Sequence, residues 1–127
     1  MGVVTMEWVS AFFRDVDSFQ LDKLVAWFAD DIDLRFANNP IIKDKHTAAH
    51  ALGGFYSTIA GLRHKAEALI GSGDEVVQQS IVTYTRKDGR LVSLPVSSYL
   101  RRNRAGKLSR LWICIDINPL YAEESAK

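Results

Sequence analysis

Ala29-Asp30-Asp31-Ile32-Asp33-Leu34-Arg35-Phe36 follows directly on a helical pattern that closes near Trp27-Phe28, and it alternates apolar with charged side chains. Period-two alternation puts Ile32, Leu34 and Phe36 on one face of a strand and Asp33 and Arg35 on the other. A strand patterned in this way opens a sheet with one face buried. The buried face ends in Phe36 and carries neither acid nor base, so a cavity built against it is expected to be greasy.

Upstream, Trp8, Val9, Phe12, Phe13 and Val16 recur at helical spacing and predict a helix over about 5–16. Glu7, Ser10, Arg14 and Asp17 fall on its other face. Asp17 and Gln20 stand at capping-box spacing, which predicts a second short helix with Leu21, Leu24, Val25 and Phe28 on one side. Downstream, Asn38-Asn39-Pro40 breaks the strand, because proline cannot donate to a ladder and asparagine favours turns. Asp44 caps a third helix, expected to run to about residue 60 with Gly61 as its stop and Ala48, Leu52, Phe55, Tyr56 and Ile59 inward. Gly53 and Gly54 inside it each cost about 1 kcal/mol relative to alanine, which implies that another element approaches the backbone there.

Strands are predicted over 63–70, 75–86, 91–102 and 107–117, separated by Gly71-Ser72-Gly73-Asp74, Asp88-Gly89 and Arg104-Ala105-Gly106. Asp-Gly between alternating runs is a strong hairpin signal, since both residues tolerate positive φ. Helices first and a meander afterwards make an α+β domain: a curved antiparallel sheet wrapped by about three N-terminal helices into a cone-shaped barrel.

The 127 residues fit one domain, with a core over about 5–121. Sixteen basic and fifteen acidic side chains leave a charge of +1, so no global field steers the chain to nucleic acid or to an anionic membrane. One cysteine, Cys114, cannot form an internal disulfide, and the N-terminus lacks a secretory pattern, so a cytoplasmic location is expected. No apolar run approaches the roughly 20 residues that cross a bilayer. The tail over 122–127 reads as loose.

The order helix-helix-strand-helix-meander, together with Phe28-Ala29-Asp30-Asp31, Ala51-Leu52-Gly53-Gly54-Phe55-Tyr56, Asp88-Gly89-Arg90-Leu91-Val92-Ser93-Leu94-Pro95 and Gly106-Lys107-Leu108-Ser109, resembles the nuclear transport factor two-like superfamily. Within it the chain is most similar to SnoaL-like polyketide cyclases, ketosteroid isomerases and limonene epoxide hydrolases. The resemblance spans about residues 6–122 and implies a cone with a pocket at its open end and a homodimer packed through the outer sheet face. It also locates family chemistry. The positions of a ketosteroid isomerase's base and two oxyanion donors hold Phe36, Phe12 and Ser97, so that catalytic set is absent, whereas Tyr56 matches a tyrosine of its hydrogen-bond network. The positions of an epoxide hydrolase's aspartate-arginine-aspartate set hold Ile81, Thr83 and Ile113. Asp116 matches an aspartate frequent at the close of SnoaL-like domains, but parity sets it with Trp112 and Cys114, opposite Leu111, Ile113 and Ile115.

Among polar residues, His64 is in phase with Ala66 and Ala68 and is the most plausible general base, set against a satisfied core or exposed histidine. Ser97 and Tyr99, with Thr83 and Thr85 on the neighbouring strand and Tyr56 on the third helix, supply hydroxyls either to a pocket or to cross-strand pairs. Asn38 and Asn39 border the expected mouth. His46 and His50 stand four apart but lack a third ligand nearby in sequence, so they read as a solvated helix face. Asp30 and Asp31 read as a helix end and Asp33 as a partner of solvent or Arg35. Arg101, Arg102, Arg104, Lys107 and Arg110 read as a solvated hairpin tip.

These readings converge on a cone lined by Phe12, Phe36, Asn38, Tyr56, His64, Thr83, Ser97, Tyr99 and Ile113 that holds a small apolar or aromatic molecule without a metal or cofactor. Any catalysis is expected to be isomerisation, cyclisation or hydration by proton transfer, with His64 as base and Tyr56 or Tyr99 as donor. The homodimer is expected through Tyr84, Trp112 and Cys114 on the outer face. The alternative is a non-catalytic dimeric module whose cone is filled by its own side chains.

Overall fold

The computed structural model describes residues 6–122. Helices α1 (Glu7–Asp17) and α2 (Leu21–Val25) lead into β1 (Phe28–Phe36), and α3 (Lys45–Tyr56) precedes the meander of β2 (Ile59–Ser72), β3 (Glu75–Arg86), β4 (Leu91–Arg102) and β5 (Leu108–Cys114). A single turn, α4 (Asn118–Tyr121), follows. The expected first helical residue, Thr5, and all of the expected loose tail except Ala122 lie outside the described residues.

The sheet order is β1-β5-β4-β3-β2. The meander is antiparallel throughout, while β1 joins it parallel to β5, pairing Leu34 with Leu111 and Phe36 with Ile113. The expected antiparallel barrel is therefore a mixed, curved sheet that does not close, with β1 and β2 at its edges. Ile42 bridges Leu34 on the far side of β1, so the segment after Asn38-Asn39-Pro40 covers part of that edge.

The apolar stripe of α1 folds onto the inner face of the sheet, where Val9, Phe12, Phe13 and Val16 join Ile32, Leu34, Leu52, Val76, Leu100 and Leu111 in one buried cluster. A second cluster, of Ile59, Val82, Tyr84, Leu94, Val96 and Leu120, fills the end of the sheet that α4 covers. Gly53 behaves as anticipated: a Cβ there would lie 3.1 Å from Leu21 Cδ2, so α2 packs directly on the α3 backbone. A Cβ at Gly54 would meet nothing within 4 Å.

Three local expectations change. Helix α3 stops at Tyr56 rather than near residue 60, because the hydroxyls of Ser57 and Thr58 donate to the Gly54 and Phe55 carbonyls at 2.6 and 2.7 Å and take the place of the next helical turn. Ile59 to Gly61 accordingly open β2, with a register shift at that point. The Asp17–Gln20 capping box does not form: Gln20 precedes α2 without a side-chain cap, and Asp17 is engaged elsewhere. Strand β5 ends at Cys114, where the Ala37 N–H donates to the Ile113 carbonyl and Asp116 then turns the chain by accepting from the Asn118 N–H.

Candidate functional site

Strand pairing decides which side chains look inward. In β3 and β4 the buried residues are Val76, Gln78, Ser80, Val82 and Tyr84, facing Leu94, Val96, Ser98 and Leu100. In β5, Leu111 and Ile113 face the same way, paired with Leu100 and Ser98. Thr83, Ser97 and Tyr99 therefore lie on the outer face, not in the cone, and Tyr84 lies inside rather than on the expected dimer face. Directly paired residues share a face, so Tyr99 has to follow its partner Trp112. The expected hydroxyl pocket is replaced by cross-strand pairing: Thr83 with Ser93 at 2.8 Å, Ser97 with Gln79, and Tyr99 with Glu75. Ile81, set against an epoxide-hydrolase residue, also faces out with Thr83, and the inward residues of β3 carry no carboxylate.

Inside, a cavity of about 40 Å³ is lined by Phe12, Phe13, Val16, Phe36, Phe55, Leu62 and Ile113 among other apolar groups, with Tyr56, His64, Tyr84 and Ser98 as its polar members. The histidine is held from α1. Asp17 Oδ1 lies 2.7 Å from His64 Nδ1, and Asp17 Oδ2 accepts the His64 backbone N–H at 2.8 Å, so one carboxylate fixes both the ring and the strand that carries it. Phe13 packs against the imidazole at 4.9 Å between centroids. A carboxylate can only accept, so Nδ1 directs its N–H at Asp17, while Nε2 has no hydrogen-bond partner among the described residues.

Two phenols complete the polar wall. Tyr56 donates to the Val16 carbonyl at 3.0 Å, closing the last turn of α1. Burial, reinforced by the Asp17 charge, pushes its acidity well below that of an ordinary phenol. Burial does the same to Tyr84, with smaller contributions from Tyr121, Tyr56 and Asp17. Both hydroxyls stay neutral, and that of Tyr84 has no partner among the described residues. Phe19, at a positive φ of 60°, lays its ring 4.9 Å from that of Tyr56 and closes the corner between α1 and α2. Beneath Ser98, Gln78 donates to Ser80 at 2.9 Å, a buried polar pair on the inner face.

The outer face carries a charged aromatic cluster. Asp33 is buried and accepts from Arg35 Nε at 3.1 Å, Lys43 Nζ at 3.3 Å and Trp112 Nε1 at 3.1 Å. Arg35 and Arg110 both lie over the Trp112 ring, 3.9 and 4.3 Å from its centroid. Of the basic residues of the β4–β5 hairpin, Arg104 and Lys107 are exposed at the tip as expected, whereas Arg110 lies over Trp112, and Arg102 pairs with Asp74 at 2.7 Å and covers Trp8, contrary to that reading. Burial works against the charge on Asp33, but hydrogen bonds from Arg35, Trp112 and Lys43 outweigh it and hold the carboxyl below its ordinary range. A folded-state pKa below the unfolded one means that this network stabilises the protein fully above about pH 4 and loses its contribution as pH falls through the lowered value. Unfolding midpoints measured from pH 6 to 2.5 should therefore separate wild type from Asp33→Asn most at the upper end and bring them together in acid. Parallel curves would contradict this.

The remaining candidates lie apart from the cavity. Asn38 is exposed in the turn after β1, although Asn39 borders a groove beside it. His46 and His50 are exposed on α3, and Asp116 is exposed beyond β5. Cys114 is free and exposed. Among the described residues no helix is long and apolar enough to cross a membrane. Not legible in the sequence were Asp17 as the partner of His64 and Tyr84 and Ser98 as cavity groups; the even-numbered apolar run Val76, Val82, Leu94, Val96 and Leu100 was the available signal for the last two.

Comparison with known proteins agrees with this architecture. TerC, co-crystallised with polyporic acid, superposes with a TM-score of 0.75 at 15% identity over 91% of this chain and 93% of that one. A Jannaschia sp. CCS1 protein assigned by likeness to the SnoaL-like polyketide cyclases gives 0.76 at 17% identity, covering 95% and 91%. An epoxide hydrolase from Mycobacterium tuberculosis, similar to limonene epoxide hydrolase, gives 0.73 at 16%, covering 91% and 84%. At these identities the likeness speaks for the fold alone. No curated protein matches significantly. A family model for the SnoaL-like domain, however, matches residues 9–111, from the first buried residue of α1 to the inward Leu111 of β5, and the chain belongs to that family.

Proposed function

We propose that this protein holds a small, mostly apolar molecule in its cone and moves a proton on it, with His64 as the base. The observation that carries this reading is the 2.7 Å contact between Asp17 and His64 Nδ1 on the wall of a mostly apolar cavity. Asp17 orients the imidazole through Nδ1; Nε2 takes a proton from carbon next to a carbonyl, and the electron pair moves onto the carbonyl oxygen. Tyr84, a neutral donor with no other partner among the described residues, is the group available to that developing oxyanion, in place of the outward Tyr99. Return of the proton to a different atom gives isomerisation, and attack of the enolate on a second carbonyl gives cyclisation. The name of the Jannaschia relative is consistent with the second outcome.

A thermal-shift screen of steroids, terpenoids and aromatic polyketides tests the binding step. A ligand at 100 times its Kd should stabilise the fold by about 2.7 kcal/mol. Uniformly flat melting curves would favour the second reading, a non-catalytic module filled by its own side chains. That reading draws on the 40 Å³ cavity, against roughly 300–1,000 Å³ for typical ligand sites.

The outer sheet face is proposed to pair two copies, now around Trp112 and Cys114 without Tyr84. Trp112 and Tyr99, ring against ring at 5.3 Å, offer the aromatic centre that interfaces favour. Sedimentation velocity should give a dimer that Trp112→Glu dissociates. A wild-type monomer at high micromolar concentration would remove the proposal.

A further inference from the structure

A second apolar space lies beside the cavity. It is a groove of about 260 Å³ between β1, the covering segment and α3, lined by Leu34, Pro40, Ile42 and Ala51, with Asn39 as its polar member. The groove and the inner cavity share three walls, Phe36, Leu52 and Phe55. The rings of Phe36 and Phe55 stand 4.8 Å apart, and both are only partly buried. On the strand side Ala37, which follows Phe36, is held at a φ of 51°. On the helix side a Cβ at Gly54, the residue before Phe55, would meet nothing within 4 Å, which leaves room beside the Phe55 ring. Neither space alone matches a ligand site; joined, they reach the lower end of the roughly 300–1,000 Å³ range. The two ends also differ in chemistry, since the cavity carries His64, Tyr56, Tyr84 and Ser98, while the groove is almost wholly apolar.

We infer that the ligand is bipartite: a small ring bearing a hydroxyl or carbonyl sits against His64, and a linear apolar chain passes between Phe36 and Phe55 into the groove. This rests on the small-molecule reading above and specifies its substrate class. Displacing either ring opens the partition, and the chain then replaces aromatic contact with its own. Phe36 and Phe55 thereby set which chains pass, and Ala51 and Ile42 set how long they can be.

The test uses phenol and 4-ethyl-, 4-butyl- and 4-hexylphenol, titrated against the ¹⁵N-labelled protein. Affinity should rise by about fourfold for each methylene buried. In Ala51→Trp, which places bulk in the groove from an exposed position, the gain per methylene should fall below about twofold. His64→Gln should weaken the whole series by one factor and leave the gradient. In wild type, the terminal methyl of 4-hexylphenol should give NOEs to Ile42 and Ala51 and the ring protons to Leu62 and Ile113, a readout independent of any variant's folding. A series that binds with no gradient, or with its methyl away from Ile42 and Ala51, overturns the bipartite ligand and leaves the cone reading intact. If no member binds, phenol included, the bipartite ligand is overturned, and the cone reading falls with it only where the thermal-shift screen is flat as well.

Discussion

Truncating Phe12 to alanine should lower the unfolding free energy by about 3–5 kcal/mol, the range for a large buried aromatic. Phe12 is 1% exposed and lies edge-on to Phe13 at 5.2 Å and to Trp27 at 5.5 Å, so it ties α1 to the chain entering β1. The lost ring would leave its void beside the existing cavity, whose walls belong to three helices and the sheet and cannot close over it together. The cost therefore includes the lost transfer energy and the unfilled space. Urea unfolding by tryptophan fluorescence, with an unchanged slope, would measure it. A loss under 1 kcal/mol would show that α1 packs on the sheet less tightly than described.

The second large effect concerns proton transfer. For a carbonyl ligand found in the thermal screen, His64→Gln should slow exchange of its α-protons with deuterated solvent about 10²–10⁴-fold, the usual contribution of a positioned base. Glutamine keeps a polar group at the wall but cannot take up a proton at this pH, so the Kd should change far less than the rate. Asp17→Asn should act in the same direction through His64, because an amide can present only one carbonyl oxygen to the ring and the backbone N–H that Asp17 now holds with two. Exchange at the wild-type rate in His64→Gln would end the assignment of this residue as base.

Much of the architecture was legible from local pattern. The β3 and β4 boundaries follow directly from period-two alternation and the Asp-Gly turn between them. Asp44 caps α3 through the Thr47 N–H as its spacing indicated. Asp33 pairs with Arg35 because both lie on one face of β1. The inward side of β3 and β4 was misjudged. Each strand carries apolar groups on both faces, Val77 and Ile81 opposing Val76 and Val82, so alternation alone leaves two assignments. The register with Trp112 and Ile113 selects one of them.

What the linear chain determines by itself, then, is the set of elements and the family to which their order belongs, because helix stripes, turns and strand alternation are properties of neighbours. The cone's chemistry is not such a property. Asp17 and His64 are 47 residues apart, and nothing near either one announces the other. Their pairing exists because α1, buried through Phe12 and Phe13, brings its last turn against β2, and a partly buried imidazole beside a carboxylate is held there by the packing of the whole domain.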